Sequence, residues 1–156
     1  MKHIFTAASA LAMLVVTATA GAQPPAQGPG ANAGRFSLAS LRGNYAMEFS
    51  GQFMRSGGWF PVMGTGVIVS DGRGNLGGAE TYSTETKTCD ATLTGTYTVE
   101  PDGSGTVSLT FSGTTPGCAG GSFTQSLAIA GDGELVLLSN TNPGDLIKEK
   151  WYLQKR

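Results

Sequence analysis

The stretch CDATLTGTYTVE, residues 89–100, decides the fold. Cys89, Ala91, Leu93, Gly95, Tyr97 and Val99 fall on one face, and Asp90, Thr92, Thr94, Thr96, Thr98 and Glu100 on the other. A period of two held this long, with β-branched threonines on the wet side, is the pattern of a strand with one buried face. The next run, TVSLTFS at 106–112, alternates in the same way, with Val107, Leu109 and Phe111 inward. Between them PDGSG has the composition of a hairpin loop. Centring that loop on Gly103 sets Tyr97 opposite Leu109 and Gly95 opposite Phe111, whose ring would then cover the glycine backbone.

The same reading extends in both directions. Strands are expected over 41–53, 62–70, 75–83, 122–130, 134–140 and 146–154, making eight, with no helix beyond a turn near 37–41. Asp-Gly punctuation returns as DGRG (71–74), DGSG (102–105) and GDGE (131–134), in the second, fourth and sixth connections. In an up-and-down meander those three turns share one end. The longer connections, 54–61, 83–88, 113–121 and 140–145, share the other. The expected fold is therefore all-β, an antiparallel up-and-down eight-stranded barrel, closed at one end by tight turns and open at the other. The Asp-Gly turns are not calcium loops, because each offers one Asp and no Glu at the twelfth position. Nor do they cradle phosphate, since strands and not helices follow them.

Cys89 opens the fourth strand and Cys118 follows the fifth, both at the looped end. In the register above Cys89 faces residue 117, so a Cys89–Cys118 disulfide is expected, pinning the 113–121 loop.

The chain opens MKHIFTAASALAMLVVTATAGAQ, a basic start, a short apolar run and small residues suited to cleavage before Gly21 or Gln23. This reads as a signal peptide over 1–22, too short to span a bilayer. Residues 23–35 read as a Pro/Gly-rich leader and 36–156 as one domain. An exported protein, periplasmic or extracellular, is implied, with no integral membrane segment. His3 is the only histidine and would leave with the signal. That excludes Ser-His-Asp and Cys-His nucleophiles and histidine-bound metals. Nine Lys and Arg would then face eleven Asp and Glu, with no basic patch for nucleic acid. No cofactor and no metal site is expected.

Two repeats of Leu-x-Gly-x-Tyr, LRGNY (41–45) and LTGTY (93–97), together with the Asp-Gly turns, resemble small exported barrels of the lipocalin and avidin kind. They are similar also to uncharacterised secreted bacterial proteins with the same patterns, and in architecture to allene-oxide-cyclase-like barrels. Tyr45 stands where those first strands carry the Trp of Gly-x-Trp, and WYLQKR (151–156) is similar to a lipocalin last strand, with an Arg or Lys near that aromatic. The biotin-binding residues of avidin do not map onto this chain.

The inward faces would line the barrel with Tyr45, Met47, Phe49, Phe53, Ile68, Tyr97, Leu109, Phe111, Phe123 and Leu127. A filled core and a cavity for one small ligand both fit that composition. Trp59 and Phe60, in a glycine-rich loop beside Arg55, would cap the mouth or contact a partner. The ligand-binding set is Tyr45, Phe49, Phe53, Trp59, Phe60, Tyr97, Phe111 and Phe123. Arg55 and Lys87 are placed to meet a carboxylate there, or simply to be solvated. Lys148 and Lys150 read as solubilising charges.

Two functions stay open. One is a binding module for a small apolar or amphipathic ligand at the looped end. The other is an envelope or surface interaction protein whose packed barrel presents loops to a protein partner. A cofactor-free isomerase or cyclase is the remote third, because Glu48 falls on the outer face and neither it nor Glu80 finds a carboxylate partner in the pattern.

Overall fold

The computed structural model describes residues 35–155; the expected signal peptide and most of the leader lie outside them. Eight antiparallel strands close a barrel in sequence order: β1 (Arg42–Arg55), β2 (Gly58–Asp71), β3 (Asn75–Thr84), β4 (Thr88–Val99), β5 (Ser104–Gly113), β6 (Gly121–Ala130), β7 (Leu135–Asn140) and β8 (Asp145–Leu153). β8 returns to β1, pairing Tyr45 with Leu153 and Phe53 with Asp145, so no edge is left open. The expected turn near 37–41 is a 3-10 helix, Leu38–Leu41. Among the described residues, no helix is long and apolar enough to cross a membrane.

Alternation along each strand sorts the residues. β4 places Cys89, Ala91, Leu93 and Tyr97 in the interior and its threonines in solvent. Hydroxyl ladders run across the outer face, Thr98 to Thr106 at 2.9 Å and Thr110 to Ser122 at 2.9 Å. The core is centred on Leu41, Tyr45, Ile68, Leu93, Val107, Leu109, Val136 and Trp151, all nearly fully buried.

The three Asp-Gly turns do share one end. Asp71 accepts hydrogen bonds from the backbone N–H of Arg73 (2.7 Å) and of Asn75 (3.0 Å), and Asp102 from the N–H of Ser104 (2.9 Å). These are Asx turns, in which the side chain replaces a backbone acceptor. Those bonds hold both carboxyls below the ordinary carboxylate range, the Asn75 and Ser104 side chains contributing most. In the third turn Asp132 adopts the left-handed conformation (φ 58°), which Asp tolerates better than most residues. The 3-10 turn lies across this end. Tyr97 donates its hydroxyl to the Leu38 carbonyl at 2.9 Å and accepts from Ser70 Oγ at 3.1 Å, so the seal satisfies its own polar groups.

Two expectations need correction. The β4–β5 register is shifted by two residues: Tyr97 faces Val107, Gly95 faces Leu109 and Leu93 faces Phe111. Leu109, not Phe111, therefore covers Gly95. A two-residue slip keeps every side chain on its own face, so the alternation alone does not separate the two registers. Aromatic cover of glycine occurs elsewhere, with the Phe49 ring over Gly64 and the Phe111 ring over Gly121, where an added Cβ would meet ring carbons at 2.6 and 2.8 Å.

Second, 54–61 is not a long loop. β1 and β2 run on to a two-residue turn at Ser56 and Gly57, with Phe53 paired to Phe60 and Met54 to Trp59. The run is glycine-rich and ends in Pro61, which cannot donate to a ladder. It is accommodated here because β3 pairs with β2 only from Val62 onward, leaving Gly58–Pro61 bonded to β1 alone. The hairpin tip thus extends beyond the rim as a two-stranded flap.

Candidate functional site

The looped end is built from the flap, the β3–β4 turn (85–87), the β5–β6 loop (114–120) and the β7–β8 turn (141–144). The Cys89–Cys118 disulfide, with Cα atoms 5.9 Å apart, ties the longest of these loops to the wall. Lys87 donates to the Gly117 carbonyl and Tyr82 to that of Ala119 at 3.3 Å, adding two further ties. Below these loops the barrel is not filled. A cavity of about 440 Å³ opens there, with Phe49, Phe53, Phe60, Phe111, Phe123 and Ile147 among its walls. The Phe53 and Phe60 rings stack at 6.0 Å, and Tyr82 meets Phe111 edge-on at 6.0 Å. Such a volume, with an aromatic wall interrupted by polar and charged side chains, suits a small molecule. A wider depression of about 760 Å³ lies on the outer face over Ala46, Thr65, Val67 and Ala79. It is a trough left by small side chains on the sheet, and a molecule there would remain largely in water.

The expected ligand-binding residues divide into three groups. Phe49, Phe53, Phe60, Phe111 and Phe123 come together around the cavity. Tyr45 and Tyr97 do not reach it. Tyr45 is buried lower in the barrel against Trp151, ring centroids 6.2 Å apart, with its phenol pushed up to about 12 by burial and then by Tyr97. Tyr97 belongs to the seal at the opposite end. Trp59 is a correction: as the neighbour of inward Phe60 on a strand it points outward, 43% exposed beside Met54. Met47, Ile68, Leu109 and Leu127 are core. Arg55 sits at the mouth with its guanidinium 4.5 Å from the Phe53 ring, and Lys87 also lines the rim, alongside Glu85 and Asp145. The basic residue expected beside Tyr45 from the last strand is not there among the described residues: Trp151 takes that place, and Lys155 pairs with Glu134 at 2.6 Å.

Alternation did place Glu48 correctly. It lies outside, bonded by Tyr152 at 3.0 Å and near Lys150 at 3.6 Å. Glu80 is the second correction, because it does have a carboxylate neighbour. On β3 it shares the inward phase of Leu76 and Tyr82, and on β8 Glu149 shares that of Trp151. Both are buried, 9% and 4% exposed, and both line the cavity. Glu149 accepts from Trp151 Nε1 and from Gln125 Nε2 (2.9 Å). Burial raises its carboxyl, and those two bonds pull it partly back. Glu80 receives no hydrogen bond from any described residue. Burial, with the nearby charge of Glu149, pushes it up to about 7. Close by, the carboxamide of Asn140 and the carbonyl oxygen of Gln125 are buried without partners; Asn140 and Gln125 are cross-strand neighbours.

Buried polar groups left unpaired are costly, and Glu80 and Asn140 on the cavity wall, with Gln125 beside Asn140 on the next strand, are the chemical signature of this end. The arrangement can hold a donor or a cation, and can exchange a proton near neutral pH. No group of His, Cys, Asp and Glu among the described residues is arranged to hold a metal ion. The chain matches no protein-family model, no curated protein and no solved structure.

Proposed function

We propose that this chain is an exported binding protein that carries a small apolar or amphipathic molecule in the cavity at its looped end. This is the use that the resemblance to lipocalin and avidin barrels implies. The observation that carries the proposal is the aromatic cavity of about 440 Å³, left open in a barrel whose other half is packed. The disulfide supports it, since a tethered rim keeps an entrance in place without an occupant. The N-terminal MKHIFTAASALAMLVVTATA pattern supports export, to the periplasm or the medium.

The test uses N-phenyl-1-naphthylamine, a neutral apolar dye whose emission rises in a dry site. The native protein is expected to enhance it saturably. Ile147→Trp, which fills the cavity from β8, should weaken binding at least tenfold, whereas Met63→Trp on the outer face should leave it unchanged. Absence of enhancement, or equal loss in both variants, would contradict the reading. A second reading, docking of a protein partner at the flap, is favoured by exposed Met54 and Trp59 together with Leu146 on neighbouring β8.

A further inference from the structure

We infer that the cavity selects a ligand with a protonated amine, whose ammonium head lies against Glu80 and Glu149 while its apolar body lies among the phenylalanines. This deepens the binding reading above and rests on it. Two carboxyls are buried at the base of an apolar cavity, and among the described residues no cation accompanies them there. The cations at this end, Arg55 and Lys87, stand at the rim, engaged by Phe53 and by the Gly117 carbonyl. The charged residues of β8 that flank Glu149, Lys148 and Lys150, point outward, and Lys150 faces Glu48.

The groups facing Glu80 can be named strand by strand. β2 presents Gly64 and Gly66, β4 presents Ala91 and the bridged Cys89, and its own strand presents Tyr82 and Thr84. Tyr82 is the one titratable group among these, β8 adds Glu149, and neither supplies a positive charge. A carboxyl more than nine-tenths buried, bare of donors and open to the cavity, is matched by a ligand that brings its own N–H groups and its own charge. An ammonium has three such donors. Glu80 takes one, and Glu149, which lines the same cavity, offers further acceptor positions. A neutral alcohol would satisfy one acceptor and leave the charge unmatched. An anionic head would add a third like charge.

Proton balance follows from the same picture. The amine enters as its conjugate acid, and the Glu80 carboxyl releases its proton to solvent as the ion pair forms. Affinity for an amine therefore rises with pH through the region where Glu80 titrates, and that for a neutral analogue does not.

The experiment is isothermal titration calorimetry of the full chain with decylamine, decanol and decanoate, which share one apolar body, at pH 8 and pH 5.5. At pH 8 decylamine is expected to bind at least tenfold more tightly than decanol, and decanoate most weakly. The decylamine advantage should shrink at least threefold at pH 5.5, and its heat should vary with the ionisation enthalpy of the buffer. In Glu80→Gln decylamine should bind no more tightly than decanol does to that same variant. That isostere loses no hydrogen bond and is expected to fold. Decanol equal to decylamine, or a preference that survives Glu80→Gln, overturns the inference and leaves the binding reading standing. If none of the three binds, both fall.

Discussion

The two ends of this barrel are made from the same alternating strands and yet are finished in opposite ways. At the Asp-Gly end the chain seals itself. The turns are held by their own aspartates, a 3-10 segment lies across the opening, and Tyr97 is bonded on both sides. Leu41, Ile68, Val107, Val136 and Trp151 leave no accessible surface there. At the looped end the rings line a cavity that also exposes Glu80, and Gln125 and Asn140 keep buried polar atoms without partners. The difference separates work within one small domain. One half supplies the stability, and the other is left under-packed and under-satisfied, as binding sites generally are.

If that division is right, mutations of similar size should have unequal effects at the two ends. Trp151→Ala should be the most costly, about 3–5 kcal/mol in urea denaturation, through its cavity and the lost donor to Glu149. Phe60→Ala at the mouth should cost under about 1.5 kcal/mol, because its ring is only partly buried and stacks on Phe53. Equal losses would break the comparison. The paired Cys89→Ser and Cys118→Ser variant should lose about 3 kcal/mol by the chain-entropy model, together with dye binding at the mouth.

A smaller effect follows from pH. Glu80 titrates near 7 in the folded chain and in the ordinary carboxylate range when unfolded, so between these values the native state holds the extra proton. Stability should therefore fall as pH rises from about 5 to 8, by on the order of 2–3 kcal/mol. Glu80→Gln should reduce that slope, leaving the part that raised Glu149 contributes, and be the more stable protein at pH 8. A native stability that instead rises over this range would show that Glu80 is ionised and compensated in the free protein. At the seal, Tyr97→Phe should cost about 1–2 kcal/mol by stripping two hydrogen bonds, with dye affinity untouched.

The sequence carried the architecture further than it carried the site. Twelve residues of clean alternation at 89–100 and the spacing of three Asp-Gly turns led to eight strands, the common end and the disulfide. Register was lost because a slip of two residues preserves inside and outside. The flap was lost because Pro61 and the flanking glycines have loop chemistry, and only the barrel rim explains why a paired strand tolerates them there. Phe49, Phe53, Phe111 and Phe123 were legible from their phase and Phe60 from its place in the 54–61 connection, but Tyr45 and Tyr97 share that phase and differ only in depth, which alternation does not encode. Glu149 was hidden in Lys148-Glu149-Lys150, a run that reads as a solvated face. Its place one step from Lys150 and two from Trp151 was the signal available.

The most direct test of the division is an amide NMR titration of isotope-labelled protein with decanol, a neutral probe that tests the cavity without its charge. Binding at the looped end predicts shifts at Phe49, Phe60, Tyr82, Phe111 and Phe123, with Tyr97, Val107 and Leu41 unmoved. Shifts confined to Met54, Trp59 and Met63 would place the apolar contact on the outer face and contradict the account.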